Sequence, residues 1–447
     1  MMKRLAALAI LVLSTPVWAE TVAITGVRLV DGTGAAPVEN AAIVVSDGRI
    51  VSVGPDIEIP ADARRIDHIG RTVIPGLISA HSHVGQVGGT SMGAKNYTRE
   101  VISAELAQFA RYGVTTVVAL GNNGPLFTTL RDEAHAGALE GADLFGVMQG
   151  IGVPNGAPPQ ESLKVAPNQL FRPNTAEEAR GAIDKMAAAN TDLVKLWLDN
   201  FGGLLPVKMK PEIYRAVIEQ SHQHGLKVAA HVHDLDDAIA IVDAGADIIA
   251  HGIRDKPVPP ELIEKMKAKG VWYVPTLALD DATFIWAEAP AWTKTEFVRA
   301  GVSPELAAQI DDAAWREKVL KEPRTAAARR SLAMNLQNLK TLYEAGVKIG
   351  FGTDSGATPL RVPGVAEHRE LALMIEAGLS PAAAVTIATK NAAELIDLDD
   401  RGTIQAGKRA DFLVLDGDPT EDIRVSERIV EVWTAGRRTA AQSEQAE

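Results

Sequence analysis

The sequence has 447 residues and a mass of 47.5 kDa, more than one ordinary domain needs but within reach of a barrel that carries a small second unit. With 46% hydrophobic and 23% charged residues it matches ordinary globular usage, which excludes a disordered or fibrous chain. A net charge of -12 disfavours nucleic-acid and anionic-membrane partners, and the lack of any cysteine excludes a disulfide scaffold or an anchor on a lipidated cysteine.

The chain opens with Met1-Met2-Lys3-Arg4, an apolar stretch from Leu5 to Leu13, and Val17-Trp18-Ala19. Charge, then apolar, then small residues predict a cleavable export signal over residues 1–19, too short to span a bilayer as a helix. Its removal takes away Lys3 and Arg4, leaving a net charge of -14 on a periplasmic or secreted protein. Next come short strand-like runs at Val22 to Val27, Ala42 to Val45, Ile50 to Val53 and Arg64 to Ile66, joined by Gly, Asp and Pro turns. Asp411 to Asp416 and Ile429 to Ala435 near the other end are of the same kind. Residues 20–72 and 396–447 are therefore expected to pair into one small β-sandwich.

Between them one pattern repeats: an amphipathic helix, a Gly or Asn stop, then a short apolar run ending in a polar residue. The runs are Val73 to His83, Val114 to Gly121, Asp143 to Gly150, Asp192 to Asp199, Leu226 to Asp234, Ala246 to Gly252, Val271 to Leu277 and Val347 to Asp354. Thr175 with Glu178 predicts a capped helix start, and Pro211 with Gly225 brackets a helix over Pro211 to His224. Eight such units predict an α/β fold, a (β/α)8 TIM barrel over residues 73–395, rather than an open doubly wound sheet. A helical stretch over about 280–338, with Trp286, Trp292 and Trp315, is long for a connection and is expected to form a lid over the barrel mouth.

Catalytic groups in such a barrel sit at the C-terminal ends of the strands. The first run ends in His81-Ser82-His83, with both imidazoles on one side by strand alternation. His231 lies in the fifth run, His251 ends the sixth and Asp354 ends the eighth. One such histidine is usually a buried side chain bonded to backbone; four of the ten in the chain at one end of separate strands suit a divalent metal with nitrogen and oxygen ligands. Lys195 lies inside Leu193-Val194-Lys195-Leu196-Trp197-Leu198, where a bare ammonium costs several kcal/mol unless paired or neutralised. His222 and His224, near a helix C-terminus, read as surface residues.

Val73-Ile74-Pro75-Gly76-Leu77-Ile78 leading into His81 and His83 resembles the first-strand signature of the amidohydrolase superfamily. Gly352-Thr353-Asp354 resembles its eighth-strand aspartate motif, and Gly402-Thr403-Ile404 with Gly407-Lys408-Arg409-Ala410-Asp411-Phe412 resembles its return into the small β domain. The resemblance covers nearly the whole chain and is nearest the imidazolonepropionase-like and Xaa-Pro dipeptidase (prolidase-type) branch. It implies two divalent metal ions, zinc, bridged by Lys195 carboxylated by carbon dioxide. It further implies His81, His83 and Asp354 on the first ion, His231 and His251 on the second, and Asp354 as general acid-base for a metal-activated water. The implied activity is hydrolysis of an amide such as an Xaa-Pro dipeptide or N-acyl amino acid, a small-molecule partner; homo-oligomer formation stays open. His233, Arg254 and Arg361 are candidates for binding the substrate, the arginines through a carboxylate.

Three departures bear on this. Ser79 stands where the family often has an aspartate, Ala119-Leu120 replaces an Arg-Asp pair, and Gly152-Val153-Pro154-Asn155-Gly156 lacks a glycine-histidine loop. Two rivals remain: a mononuclear cyclic-amide hydrolase or deaminase, in which Lys195 is dispensable, and a non-catalytic barrel scaffold, opposed by the filled ligand positions.

Overall fold

The computed structural model describes residues 20–439, so the expected export signal lies outside the described residues. Eight parallel strands form the barrel: Leu77–Ser82, Val114–Ala119, Asp143–Gly146, Val194–Trp197, Val228–His231, Ile248–Ala250, Trp272–Val274 and Lys348–Ile349. They pair in chain order. The third and fourth are joined through Asp192 N donating to Gly146 O at 3.1 Å, and the eighth returns to the first through Ala80 N donating to Phe351 O at 2.9 Å. Val194, Leu196, Val228, Ala230, Ile249 and Tyr273 are fully buried, as near-continuous apolar strands covered on both faces require.

The helix over Ala176–Ala188 starts as its sequence predicts, with Thr175 accepting from Glu178 N at 3.1 Å. Glu178 reaches back one residue further than the usual box, to Asn174 N at 2.6 Å. The helix Pro211–Gln223 begins on its proline.

The run read as one strand from Val73 to His83 is two. Thr72–Pro75 belongs to the small β unit, pairing with Val22–Leu29 and Phe412–Leu415, while Leu77 starts the barrel. Gly76 makes the join, and a Cβ there would lie 2.2 Å from Thr115 Oγ1. Apolar residues pass from one core directly into another, so hydropathy alone carries no break at this point.

The small unit is an eight-stranded mixed sheet wrapped over its own core of Ile24, Ile43, Phe412 and Trp433, the two rings stacked at 5.4 Å. Both chain ends contribute to it. Asp143, at the start of the third barrel strand, accepts from Arg401 at 2.8 Å and Arg409 at 2.9 Å, so buried charge pairs tie the return segment to the barrel end opposite the mouth.

After the seventh strand, helices Ile285–Glu288, Glu296–Arg299, Pro304–Asp311 and Ala313–Lys321 pack over a satellite core that includes Trp286, Leu306 and Ile310, while Leu277–Asp281 and the long Pro323–Glu344 pack on the barrel core through Leu277, Leu332 and Leu339. Trp292 and Trp315 pack against its edge. The long helix is docked by two buried amides, Asn335 donating to Pro275 O at 2.8 Å and Asn338 to Ile253 O at 2.8 Å. Its stretch from Pro323 to Gln337 forms one wall of the cavity at the mouth.

Candidate metal centre

A cavity of about 1210 Å³ opens at the C-terminal ends of the strands, and His81, His83, Lys195, His231, His233, His251, Arg254, Asp354 and Arg361 all line it. His83 Nε2 is 3.0 Å and His81 Nε2 3.5 Å from Asp354 Oδ1. The ligand atoms of these three residues lie within 4.8 Å of one another, a spacing that a single cation can bridge. The imidazole of His251 continues the group, its ring centroid 4.4 Å from those of both His81 and His231.

Hydrogen bonds behind the rings fix which nitrogen faces inward. His83 Nδ1 donates to Gly121 O at 3.2 Å, and His251 Nδ1 shares a hydrogen bond with Thr276 Oγ1 at 2.9 Å, leaving each Nε2 for the cavity. The backbone is unusual here too. His251, Thr276 and Asp354 have φ of 118°, 46° and 61°, a region where non-glycine residues carry strain, and such strain gathers at sites that need an otherwise unreachable geometry. At Gly352 a Cβ would lie 2.5 Å from that of His81, so only glycine lets the eighth strand approach the first this closely.

Burial pushes His81, His231 and His251 well below the ordinary imidazole range, with Lys195 adding to the effect. Neutral imidazoles, the form that binds metal, result. Burial also brings Lys195 down to about 7, opposed by Asp354 and Asp199. Its ammonium has no accessible surface; Nζ lies 3.4 Å from His81 Nε2 and 5.5 Å from the centre of the Trp197 ring. Burial pushes the Asp354 carboxyl up, but Arg361 and the two histidines outweigh it and hold the group ionised far below the usual range.

Both ring nitrogens of His231, Nδ1 of His81 and Oδ2 of Asp199 are buried without a hydrogen-bond partner. Unpaired buried polar atoms are costly, and a cation bound here would remove that cost at one ring nitrogen of His231. Neutral imidazoles, an ionised carboxylate and orphaned donor atoms form a set that fits divalent metal.

Arg254 is 8% exposed, reaches Asp280 only at 3.5 Å and leaves its buried Nε unpaired at the cavity wall. Arg361 pairs with Asp354 itself, and His233 Nδ1 bonds Asp234 at 2.7 Å. His222 and His224 lie on the surface, paired with Asp247 and Asp184.

Three contributors escape the sequence reading. Asp199 ends the fourth run, is fully buried, stands 3.4 Å from His231 and is pushed up by burial to about 7; its place as the polar end of a strand could have marked it. Thr276 carried no signal. Glu367, on the helix Val365–Glu376, accepts hydrogen bonds from Ser79 at 2.9 Å and from Thr353 and Ser355 at 2.7 Å. It thereby places a carboxylate behind the first strand, where Ser79 provides none.

The amidohydrolase family profile matches residues 72–439. The chain belongs to the amidohydrolase family. Over 457 aligned positions it is 24% identical to the ochratoxinase of Aspergillus niger, covering 92% of this chain and 84% of that one. A solved structure from Bifidobacterium longum, provisionally named a prolidase, superposes with a TM-score of 0.75 at 27% identity over 95% of this chain and 96% of that one. A Xaa-Pro dipeptidase with methionine bound in its active site superposes with a TM-score of 0.74 at 24% identity, over 94% and 99% of the two chains. This amidohydrolase is thus an enzyme of the hydrolase class acting on carbon-nitrogen bonds, on a barrel with a small β unit, in a metal-dependent family.

Proposed function

We propose that this amidohydrolase is exported and hydrolyses the amide joining an acyl group to an amino acid or a proline-type nitrogen, with two divalent ions, zinc, as cofactor. His81, His83 and Asp354 would hold one ion and His231 and His251 the other, with Lys195 between them as a carbamate. The carbamate forms when the neutral amine attacks carbon dioxide, making an N–C bond and releasing one proton, and a costly buried cation becomes an oxygen ligand. When bound, the ions polarise the scissile carbonyl and lower the pKa of water.

The side chains of the protein carry the remaining work. Asp354 lines the cavity and pairs with Arg361, and would take the proton of the attacking water and pass it to the leaving nitrogen. Arg254, Arg361 and His233 line the wall, and their side chains would offer donors to a substrate carboxylate and orient the amide.

The observation that carries this reading is the position of Lys195, with no accessible surface and hydrogen-bonded to a histidine rather than a carboxylate, inside the ligand set. Ion counting and hydrolysis of N-acyl amino acids and Xaa-Pro dipeptides test it. Two ions per chain, a carbamate carbon signal from ¹³C-bicarbonate and loss of both in Lys195→Ala are expected. A Lys195→Ala protein that keeps its metal and activity overturns the bridged pair. The tight His81, His83 and Asp354 cluster also accommodates the rival reading, one ion opening a ring or deaminating a heterocycle, and one tightly held ion per chain would favour it. Export is tested by the N-terminus of the mature protein in a periplasmic fraction, expected at Glu20.

A further inference from the structure

Sites for drug-sized ligands run to about 300–1,000 Å³, and this one, at about 1210 Å³, has room for a ligand of that size. The histidines, Lys195 and Asp354 gather at the strand ends; farther out, the wall after the fourth strand is apolar at Phe201 and Leu204, while the facing helix Pro323–Glu344 brings Arg324 and Arg330 beside Ala327 and Met334.

One outer wall is the segment after the fourth strand. Phe201, Gly202 and Gly203 follow one another with φ of 55°, 64° and 88°, turning the chain sharply at the mouth. The turn is held by Asp199 and Asn200, which accept from Phe201 N and Gly203 N at 3.1 Å each. Phe201 and Leu205 pack on a small apolar cluster containing Trp197 and Leu170, and the Phe201 ring lies 4.8 Å from that of His231. Leu204, at the tip, lines the cavity while 83% exposed, with most of its apolar surface in water. The helix Pro323–Glu344 adds Ala327 and Met334 to the lining, together with Arg324 and Arg330. Singly exposed leucines are common, but one that lines a cavity together with Phe201 has a surface to share with a ligand.

Resting on the amide-hydrolase reading, we propose that the substrate is an N-acyl amino acid whose acyl group is bulky and apolar, aromatic or long-chain. The acyl group lies against Phe201 and Leu204, while the amino-acid carboxylate goes to the arginines. Leu204 is then a specificity-determining residue, covered when the substrate binds.

The test compares N-acetyl-, N-(2-naphthoyl)- and N-dodecanoyl-phenylalanine on the metal-loaded full chain and on Leu204→Ser, an exposed position where folding is preserved. The wild type is expected to prefer at least one bulky acyl group over acetyl by tenfold or more in kcat/KM. Leu204→Ser is expected to cut that ratio by about tenfold, mostly through KM, as loss of an apolar binding contact does. Turnover of all three at equal kcat/KM, or an unchanged ratio in Leu204→Ser, overturns the acyl-site proposal and leaves amide hydrolysis standing. No turnover of any of them by protein carrying its full metal that still hydrolyses an Xaa-Pro dipeptide overturns this proposal alone, and no turnover of the dipeptide either overturns the amide reading with it.

Discussion

Glu367→Gln perturbs the centre without touching a ligand. Glu367 is fully buried; its Oε1 accepts from Ser79, Thr353 and Ser355, and its Oε2 accepts from Gly364 N at 2.7 Å. Two of those hydroxyl residues flank Asp354, and Ser82, between the two histidines of the first strand, bonds Ser79 at 2.6 Å and Ser355 at 3.2 Å. A glutamine oxygen can still receive the hydroxyls, but its NH₂ group then faces the Gly364 N–H, donor against donor. An orphaned buried donor costs about 1–3 kcal/mol, and weakening three charge-assisted bonds costs up to about 1 kcal/mol each, partly offset because a neutral amide is cheaper to bury than a carboxylate. A loss of about 2–4 kcal/mol in stability is expected, and metal affinity should fall on the order of 10–100-fold, as it does when ligands lose their supporting hydrogen bonds. Urea unfolding gives the first quantity and competition with a chromophoric chelator the second. Unchanged metal affinity together with a midpoint within about 0.5 kcal/mol of wild type would refute the claim that this carboxylate replaces the one missing at Ser79.

Other perturbations have equally definite expectations. Burial holds His368 down at about 4, bonded to Tyr112 O at 2.8 Å and Ser426 Oγ at 2.9 Å, whereas unfolded histidine titrates near 6.5. Only the unfolded chain takes up the proton just below 6.5, so this stability is complete above pH 6.5 and is lost as pH falls towards 4. Between pH 7 and pH 5 His368→Gln should lose about 2 kcal/mol less than wild type in urea unfolding, and identical losses would contradict the assignment. Arg254→Met should raise KM about tenfold or more for an N-acyl amino acid and far less for its carboxamide-capped analogue; equal effects on both would exclude a carboxylate contact. Arg401→Met leaves Asp143 with Arg409 as its remaining arginine and should cost about 2–4 kcal/mol with kcat unchanged at low temperature, since the pair lies far from the mouth.

The barrel was legible because its strands are buried on both faces and end in polar groups, so eight apolar runs could be counted and their terminal residues set side by side. The join at Gly76 was not, because neither hydropathy nor strand propensity changes where Pro75 leaves one core and Leu77 enters the other. The histidines, Lys195 and Asp354 stood out because each is chemically out of place in its apolar run. Asp199 carried the same signal, a polar residue closing an apolar run, and the structure buries it beside His231. Glu367 and Thr276 could not be found from local pattern at all, since each acts through contacts 12 or more residues away in sequence, Glu367 to Ser355 and Ser79 and Thr276 to His251.

That division has a physical cause. Ligands must converge on one point, and strand ends of a barrel are the only places where distant segments meet in fixed register, so ligand positions inherit the periodicity of the fold. Supporting groups need only reach a ligand from any side. Here the helix Val365–Glu376 supplies a carboxylate that the first strand lacks, and the loop after the seventh strand supplies a hydroxyl to His251. Substitution at Ser79 is thus compatible with an intact centre, and the outer walls, built from Phe201, Leu204 and the helix Pro323–Glu344, are free to vary with the substrate while the centre behind them stays the same.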